Sequence, residues 1–135
     1  MTNVALLQKG ARIPLCTANN EEHPAANILD GNNSTFWLST GLFPQEIIIS
    51  LSQSSLVTSI SILCSHVKEL LIEKSVNEDA GDLENLLRSE LEFQETLQKQ
   101  EFKLSSPTLI RHIKLIIQSG YDHFVSINSV TVVTS

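Results

Sequence analysis

Apolar and polar side chains alternate with a period of two in several segments of the chain. In residues 45–51 (QEIIISL), Ile47, Ile49 and Leu51 share one face. Residues 58–64 (TSISILC) set Ser59 and Ser61 against Ile60 and Ile62. Residues 111–118 (RHIKLIIQ) put Ile113, Leu115 and Ile117 inward and His112 and Lys114 outward. Residues 126–133 (SINSVTVV) are rich in β-branched side chains. The period and the length predict strands. Strands that follow one another without a helix after each predict an all-β antiparallel sandwich rather than a doubly wound sheet.

Residues 77–100 depart from this pattern, becoming acidic and polar. Within them Leu83, Leu86, Leu87 and Leu91 recur at helical spacing behind Asp82, a residue type that caps helix N-termini. The spacing predicts one short amphipathic helix within residues 80–92 that plugs an end of the sandwich; a partner-binding helix is the other reading. Residues 1–135 contain no repeat, low-complexity tract or interdomain linker and read as one domain.

Charge and cysteine content narrow the function. Fifteen acidic against nine basic residues leave a net charge of -6, which argues against nucleic acid and anionic membranes, since both require clustered cations. No apolar run approaches the roughly 20 residues that cross a bilayer, so no membrane insertion is expected. MTNVALLQKGARIPLC has too short an apolar patch for a signal peptide, which points to the cytosol. The overlapping sequons at Asn32 and Asn33 would matter only on the secretory route. Cys16 and Cys64 lie in apolar contexts, PLCTA and SILCS, and read as buried free thiols, with a bridge between them left open.

Catalytic patterns are sparse. No Gly-x-Ser-x-Gly elbow, His-Glu-x-x-His or Cys-x-x-Cys occurs, and the histidines at 23, 66, 112 and 123 are scattered. An enzyme is not expected. The segment NILDGNNSTFW, residues 27–37, is the exception because it concentrates side-chain oxygens before the only tryptophan. Asp30, Asn32 and Ser34 alternate as in the first half of an EF-hand loop, but the sixth position is Thr35 instead of Gly and the twelfth is Gly41 instead of Glu. Two readings remain. Asp30-Gly31 with Asn32, Asn33 and Ser34 makes an Asx-turn, which composition alone favours. Alternatively, turn carbonyls and side-chain oxygens hold a hard cation with help from a distant segment. Trp37 reads as a core anchor with its N–H bonded nearby, against a sugar-stacking surface. Phe124 is expected to pack, and Asp122 and His123, adjacent on one strand, are poorly placed for a dyad.

The order of these pieces carries a resemblance. Pro24-Ala-Ala-Asn-Ile-Leu-Asp30, then Gly31, Thr35 and Trp37, then FPQEIIISL from Phe43, and SINSVTV at the end are similar to the discoidin, or coagulation-factor type C, jelly roll of the galactose-binding-like superfamily. The resemblance spans about residues 11–133. HPAANILDGNNSTFW, TGLFPQEIIIS, LLIEKS and SGYDHFVSINSV together resemble the small discoidin-type subunits of the intraflagellar transport B complex. That family is also described as small-heat-shock-like, although it lacks the heat-shock fold. FPQE (Phe43 to Glu46) and YDHF (Tyr121 to Phe124) are the most family-specific pieces.

The resemblance implies a non-catalytic subunit that forms a heterodimer with a Rab-like small GTPase. It implies association with other intraflagellar transport B subunits, in the cytoplasm and the cilium or flagellum. It also implies a structural calcium at the Asp-Gly turn. The carbonyl of Asn27, the carboxylate of Asp30, the carbonyl of Asn32, and the carbonyl and hydroxyl of Thr35 match the family's loop ligands. The last strand supplies a carbonyl and then a Glu in that family, and Asn128 and Ser129 stand at those positions here. Ser for Glu leaves Asp30 as the sole carboxylate, so binding weaker than in the lectin members is expected. The alternative function is a carbohydrate- or lipid-binding discoidin module. Sugar-binding members usually display Arg, His and aromatic side chains on their end loops, whereas this chain has three arginines and 5% aromatic residues. Lipid-binding members usually carry a disulfide clamping the domain ends, which Cys16 and Cys64 are not placed to form. Both comparisons favour the assembly subunit.

Overall fold

The computed structural model describes residues 2–134 apart from Asn19, Thr40 and Gly41. Gly41, the twelfth position of the EF-hand comparison, therefore lies outside the described residues. The strands are β1 (Thr2–Asn3), β2 (Arg12–Cys16), β3 (Trp37–Leu38), β4 (Gln45–Ser65), β5 (Val67–Ser75), β6 (Glu84–Glu90), β7 (Gln98–Gly120) and β8 (Ser126–Thr134), with 3₁₀ turns at Leu7–Lys9 and Ala25–Leu29. All strand pairings are antiparallel.

The segments at 45–51 and 58–64 are not separate strands. They join in β4, which runs for 21 residues and pairs along its length with the 23 residues of β7. The ladder shifts register between Ser50 and Ser55 and again between Val57 and Ser59. Bulges of this kind bend a strand and strengthen its twist, and these divide the pair between two layers. In one layer, residues 45–50 lie between β2 and residues 112–117 of β7, followed by β5 and then β6 at the edge. In the other, residues 57–65 lie between the start of β7 and β8, with β1 and β3 both on β8. Where the ladder breaks, Arg111 Nε donates to the Leu51 carbonyl at 2.9 Å. Ile47, Ile49, Leu70, Ile72, Ile113 and Leu115 of the first layer and Ile60, Ile62, Ile127, Val130 and Val132 of the second form one buried core. This is the expected all-β sandwich jelly roll.

No helix forms within residues 80–92. Residues 84–90 are β6, an edge strand on β5. Its register runs Ile72↔Leu87 and then Glu73↔Asn85, leaving Leu86 as the extra residue of a bulge. Leu86 and Leu87 are consequently both half-buried, and a bulged strand reproduces the i, i+3, i+4 spacing of a helix face. Asp82 caps nothing: it has φ 55 and its carboxylate accepts from Asn77 Nδ2 at 2.9 Å. His112 is likewise not outward in any solvent-facing sense. The 75–83 turn folds over it, and the ring is buried between Ser50 Oγ, 2.7 Å from Nδ1, and the Glu78 carbonyl, 3.1 Å from Nε2. A carbonyl can only accept, so Nε2 carries the proton and Nδ1 accepts from the Ser50 hydroxyl.

Gln98, at the start of β7, ties the layers at the β4–β5 corner. Its Oε1 accepts from Val67 N at 2.9 Å and from Cys64 Sγ at 3.5 Å, while Nε2 donates to the carbonyls of Val67 and Glu92, each at 2.8 Å. The buried amide thus replaces a missing rung of backbone pairing. Gln98→Leu keeps similar bulk but strands a buried N–H and two carbonyls. It should lower the unfolding free energy by about 2–3 kcal/mol in urea titrations, within the range for unpaired buried polar groups.

Candidate functional site

The oxygen-rich loop is positioned from the core outward. Ile28 and Leu29 bury themselves at the end of the Ala25–Leu29 turn, which leaves the Asn27 carbonyl and the Asp30 side chain on the outer side. Gly31 follows with φ +76, a left-handed conformation that glycine adopts without a Cβ penalty. Asp30 Oδ1 then accepts from Asn32 N at 2.8 Å and Asn32 Oδ1 from Ser34 N at 2.9 Å, so the Asx-turn is present. Asn27 Nδ2 closes the neck of the loop on the Phe36 carbonyl at 3.0 Å. Trp37 is 0% exposed and donates Nε1–H to the Ala18 carbonyl at 3.0 Å. It is a core anchor, and its pairing with Ile127 brings the loop's exit to the start of β8.

The turn does not exhaust the geometry. Thr35 Oγ1 lies 2.6 Å from Asp30 Oδ2, 3.0 Å from the Asn32 carbonyl and 3.5 Å from the Asn27 carbonyl. A hydroxyl has one hydrogen, so it cannot donate to all three. The hydroxyl serves one of them, and the others remain acceptors turned towards the same point. Oxygens converging in this way suit a hard divalent cation. Asn128 is tied to the same loop, its Nδ2 donating to the Asn33 carbonyl at 2.9 Å. Of the six residues expected at the site, the structure gathers Asn27, Asp30, Asn32 and Thr35 around one hydroxyl and brings Asn128 to the loop. Ser129 is different: it lies opposite Leu63 in the ladder and lines a shallow groove with Asn33, Ser61, Lys99 and Thr131. Among the described residues no group of three or more His, Cys, Asp or Glu is arranged for a metal. An oxygen site of carbonyls, one hydroxyl and one carboxylate is a different kind of site.

Sequence reasoning did not locate a second surface, an aromatic cluster at the end of the sandwich that carries the β4–β5, β6–β7 and β7–β8 connections. Phe93 and Tyr121 meet edge to face at 5.6 Å, His66 stands 6.0 Å from Phe93, and Lys68 Nζ lies 5.8 Å from the Tyr121 ring centre. Tyr121 Oη donates to the Leu91 carbonyl at 2.6 Å, which fixes the ring. Phe43 joins Tyr121, Asp122 and His123 in lining a crevice of about 380 Å³. The FPQE and YDHF blocks, remote in sequence, thus meet here. A Cβ at Gly120 would come within 2.8 Å of the His66 carbonyl and 2.7 Å of Val125 Cγ1, so the loop seats this closely only with glycine. Phe124 does not pack as expected; it is 54% exposed, and Phe93 is 51% exposed. The pattern missed this because Val125, not Phe124, takes the inward position before β8.

The cysteines are free. Burial pushes the Cys64 thiol up to about 12, and it raises Cys16 as well, partly offset by a hydrogen bond to the Ala18 backbone. Both are free as expected; Cys64 is buried and Cys16 is half-buried. A thiol raised by folding adds stability that is complete below its unfolded value of 9.0 and is lost as pH climbs towards about 12. In native protein at pH 8, iodoacetamide should leave Cys64 unmodified, and denaturation should expose it, as read by mass spectrometry of the tryptic peptides.

Searches for relatives place the chain among known proteins. No family model matches it. It is 34% identical over 129 residues to the intraflagellar transport protein 25 homolog of Homo sapiens, covering 96% of this chain and 90% of that protein. It is 29% identical over 134 residues to intraflagellar transport protein 25 of Chlamydomonas reinhardtii, covering 98% and 70%. Among solved structures, a family 32 carbohydrate-binding module from C. perfringens NanJ, in complex with galactose, superposes with a TM-score of 0.83 at 22% identity over 97% of each chain. The C-terminal domain of a chitobiase from Bacteroides fragilis superposes with a TM-score of 0.75 at 23% identity, covering 93% of each. At such identities the structural likeness establishes the jelly roll alone.

Proposed function

The chain belongs to the intraflagellar transport protein 25 family, and from that premise we propose that it is a non-catalytic subunit of the intraflagellar transport B complex, paired with a Rab-like small GTPase. The coarser part, a protein of intraflagellar transport found with cilia or flagella, rests on relatives that align over nearly the whole chain. The observation that carries the finer part is the meeting of the FPQE and YDHF blocks at one exposed aromatic end. Interface hot spots are enriched in aromatic side chains, held rigid and rimmed by polar groups. Phe93 and Tyr121, with His66 and Lys68 beside them and Asp122 in the adjoining crevice, have that composition.

Co-expression with the Rab-like GTPase followed by size exclusion tests the pairing. The two should co-elute as a one-to-one complex, and separate elution at micromolar concentration overturns it. Phe93→Glu combined with Phe124→Glu should weaken the complex by at least about tenfold, or roughly 1.4 kcal/mol, while leaving the melting temperature of the free subunit unchanged. Both side chains are exposed in the free chain, so their loss should not disturb the core.

The reading includes a structural calcium at the 27–35 loop. Asn27, Asp30, Asn32 and Thr35 would hold it, and the ion would neutralise their converging oxygens and pin the loop. A cation bound by the folded state alone stabilises it by about 2.7 kcal/mol at a hundredfold excess over Kd. The melting temperature should therefore be several degrees higher in calcium than in chelator for the wild type, and Asp30→Ala should show no difference. An unchanged wild-type melt removes the calcium claim.

A further inference from the structure

We propose that the free edge of β7 over residues 98–103 docks one extended segment of a partner protein, added as a strand and carrying acidic side chains two positions either side of a basic one. This surface is separate from the aromatic end and does not depend on the GTPase. One side of β7 pairs with β4 in both layers. The other side pairs with β5 over residues 112–120 in the first layer, but no strand pairs with it over residues 98–103 in the second. Among the described residues no backbone group of a loop bonds residues 98–103 either. The remaining edges are blunted: β6 is bulged at Leu86, β2 shifts register between Arg12 and Leu15, and β1 and β3 are two residues long each. Residues 98–103 keep six consecutive rungs with β4, from Cys64↔Gln98 to Ser59↔Lys103. A regular edge of this kind is a template for another strand.

Shape selects the occupant. In the first layer β5 and β6 continue past β7, by roughly 10 Å at the usual strand spacing. A second copy brought edge to edge would carry the same two strands, and the two overhangs would meet before the edges paired. A single extended chain is narrow enough to lie beside β7, next to the half-buried Phe102 and over the side where Leu86 and Leu87 of β6 are half-buried. The β6–β7 connection crosses this side at Gln98 and leaves a groove of about 350 Å³, lined by Glu90, Leu91, Leu97, Lys99 and Gln100, for the end of that chain.

Charge selects the chemistry. Lys99, Glu101 and Lys103 alternate on the outer face and are exposed. The first layer pairs its charges, Lys114 with Glu46, Lys74 with Glu84 and Arg88 with Glu69, whereas these three have no ion-pair partner among the described residues. An added strand sets its side chains opposite them. The segment that fits is acidic, basic and acidic at every second position, with apolar residues between to cover Phe102. That order reads the same in both directions, so it serves parallel and antiparallel addition alike. Main-chain bonds give such additions their affinity, and alternate side chains give them specificity.

Two capped peptides of about seven residues, a usual strand length, test the proposal on the isotope-labelled full chain by nuclear magnetic resonance. In one, valines alternate with Glu, Lys and Glu; in the other, with Lys, Glu and Lys. The first should shift amides within residues 98–103 and protect them from hydrogen exchange. It should also bind at least about tenfold more tightly than the second. Lys99→Glu combined with Lys103→Glu changes exposed side chains only, keeps the fold by circular dichroism, and should invert that order. No shift at residues 98–103 at millimolar peptide, equal affinity for the two peptides, or an order that the double variant leaves unchanged overturns the proposal. The same amides shifting with protein concentration alone would assign the edge to a second copy, which overturns it as well. None of these readouts involves the GTPase, so the heterodimer stands or falls separately.

Discussion

The long antiparallel pairing of β4 with β7 is the constraint on which the rest of the molecule depends. Both strands run through the two layers, so neither layer has an independent register. Once Ile47 opposes Leu115 and Ile60 opposes Phe102, the facing apolar rows are fixed for both sheets. The bend concentrates its irregularity at residues 50–55, where Arg111 supplies the hydrogen bond that the ladder drops. A one-residue slip on either side would send a whole row of isoleucines to the solvent face. The turns at the ends of these strands, and everything they carry, inherit their positions from this pairing.

Much of that scaffold was legible as alternation, because a half-buried strand writes its burial directly into the sequence. Residues 45–51, 58–64, 111–118 and 126–133 all lie in strands. The failures share one cause, which is that period-2 reasoning assumes an unbroken ladder. At Leu86 a bulge produced an apparent helix face. At His112 the parity was right, but the 75–83 turn, bonded through the Glu78 carbonyl, covers the outer side of the strand. At Phe124 the irregular stretch before β8 hands the inward place to Val125. Bulges and covering loops are set by contacts remote in sequence, and no local window contains them.

The oxygen loop was legible for a different reason. Asp-Gly turn chemistry is local, and the spacing to Thr35 and Trp37 carried the family resemblance, so Asn27, Asp30, Asn32 and Thr35 could be named before any coordinates. The contribution that the resemblance implies from β8 could be named only as a pair of positions. Choosing between Asn128 and Ser129 needs the direction of each side chain, and the bulge at Asn128 sets that direction against the simple alternation. The aromatic end was illegible as a surface for a similar reason. Phe43, Phe93 and Tyr121 lie on separate connections, and only the β4–β7 pairing assembles them.

These two regions are adjacent along the chain. The YDHF loop ends at Val125, whose N–H bonds Ser39 Oγ at 2.9 Å and whose carbonyl accepts from Ser39 N at 2.9 Å. Two residues later Ile127 pairs with Trp37, and the next position is Asn128. The 37–39 segment is therefore clamped on both sides of the entry to β8, with the oxygen loop immediately before it. A cation drawing Asn128 towards that loop would brace the exit of the YDHF loop through buried backbone pairing rather than through any moving part. Bracing of this kind presents Tyr121 and Phe124 in one geometry and lowers the entropy lost when a partner covers them. On that argument an ion held at the loop would contribute to assembly without touching the partner, and its removal would weaken docking only as far as it loosens residues 121–125.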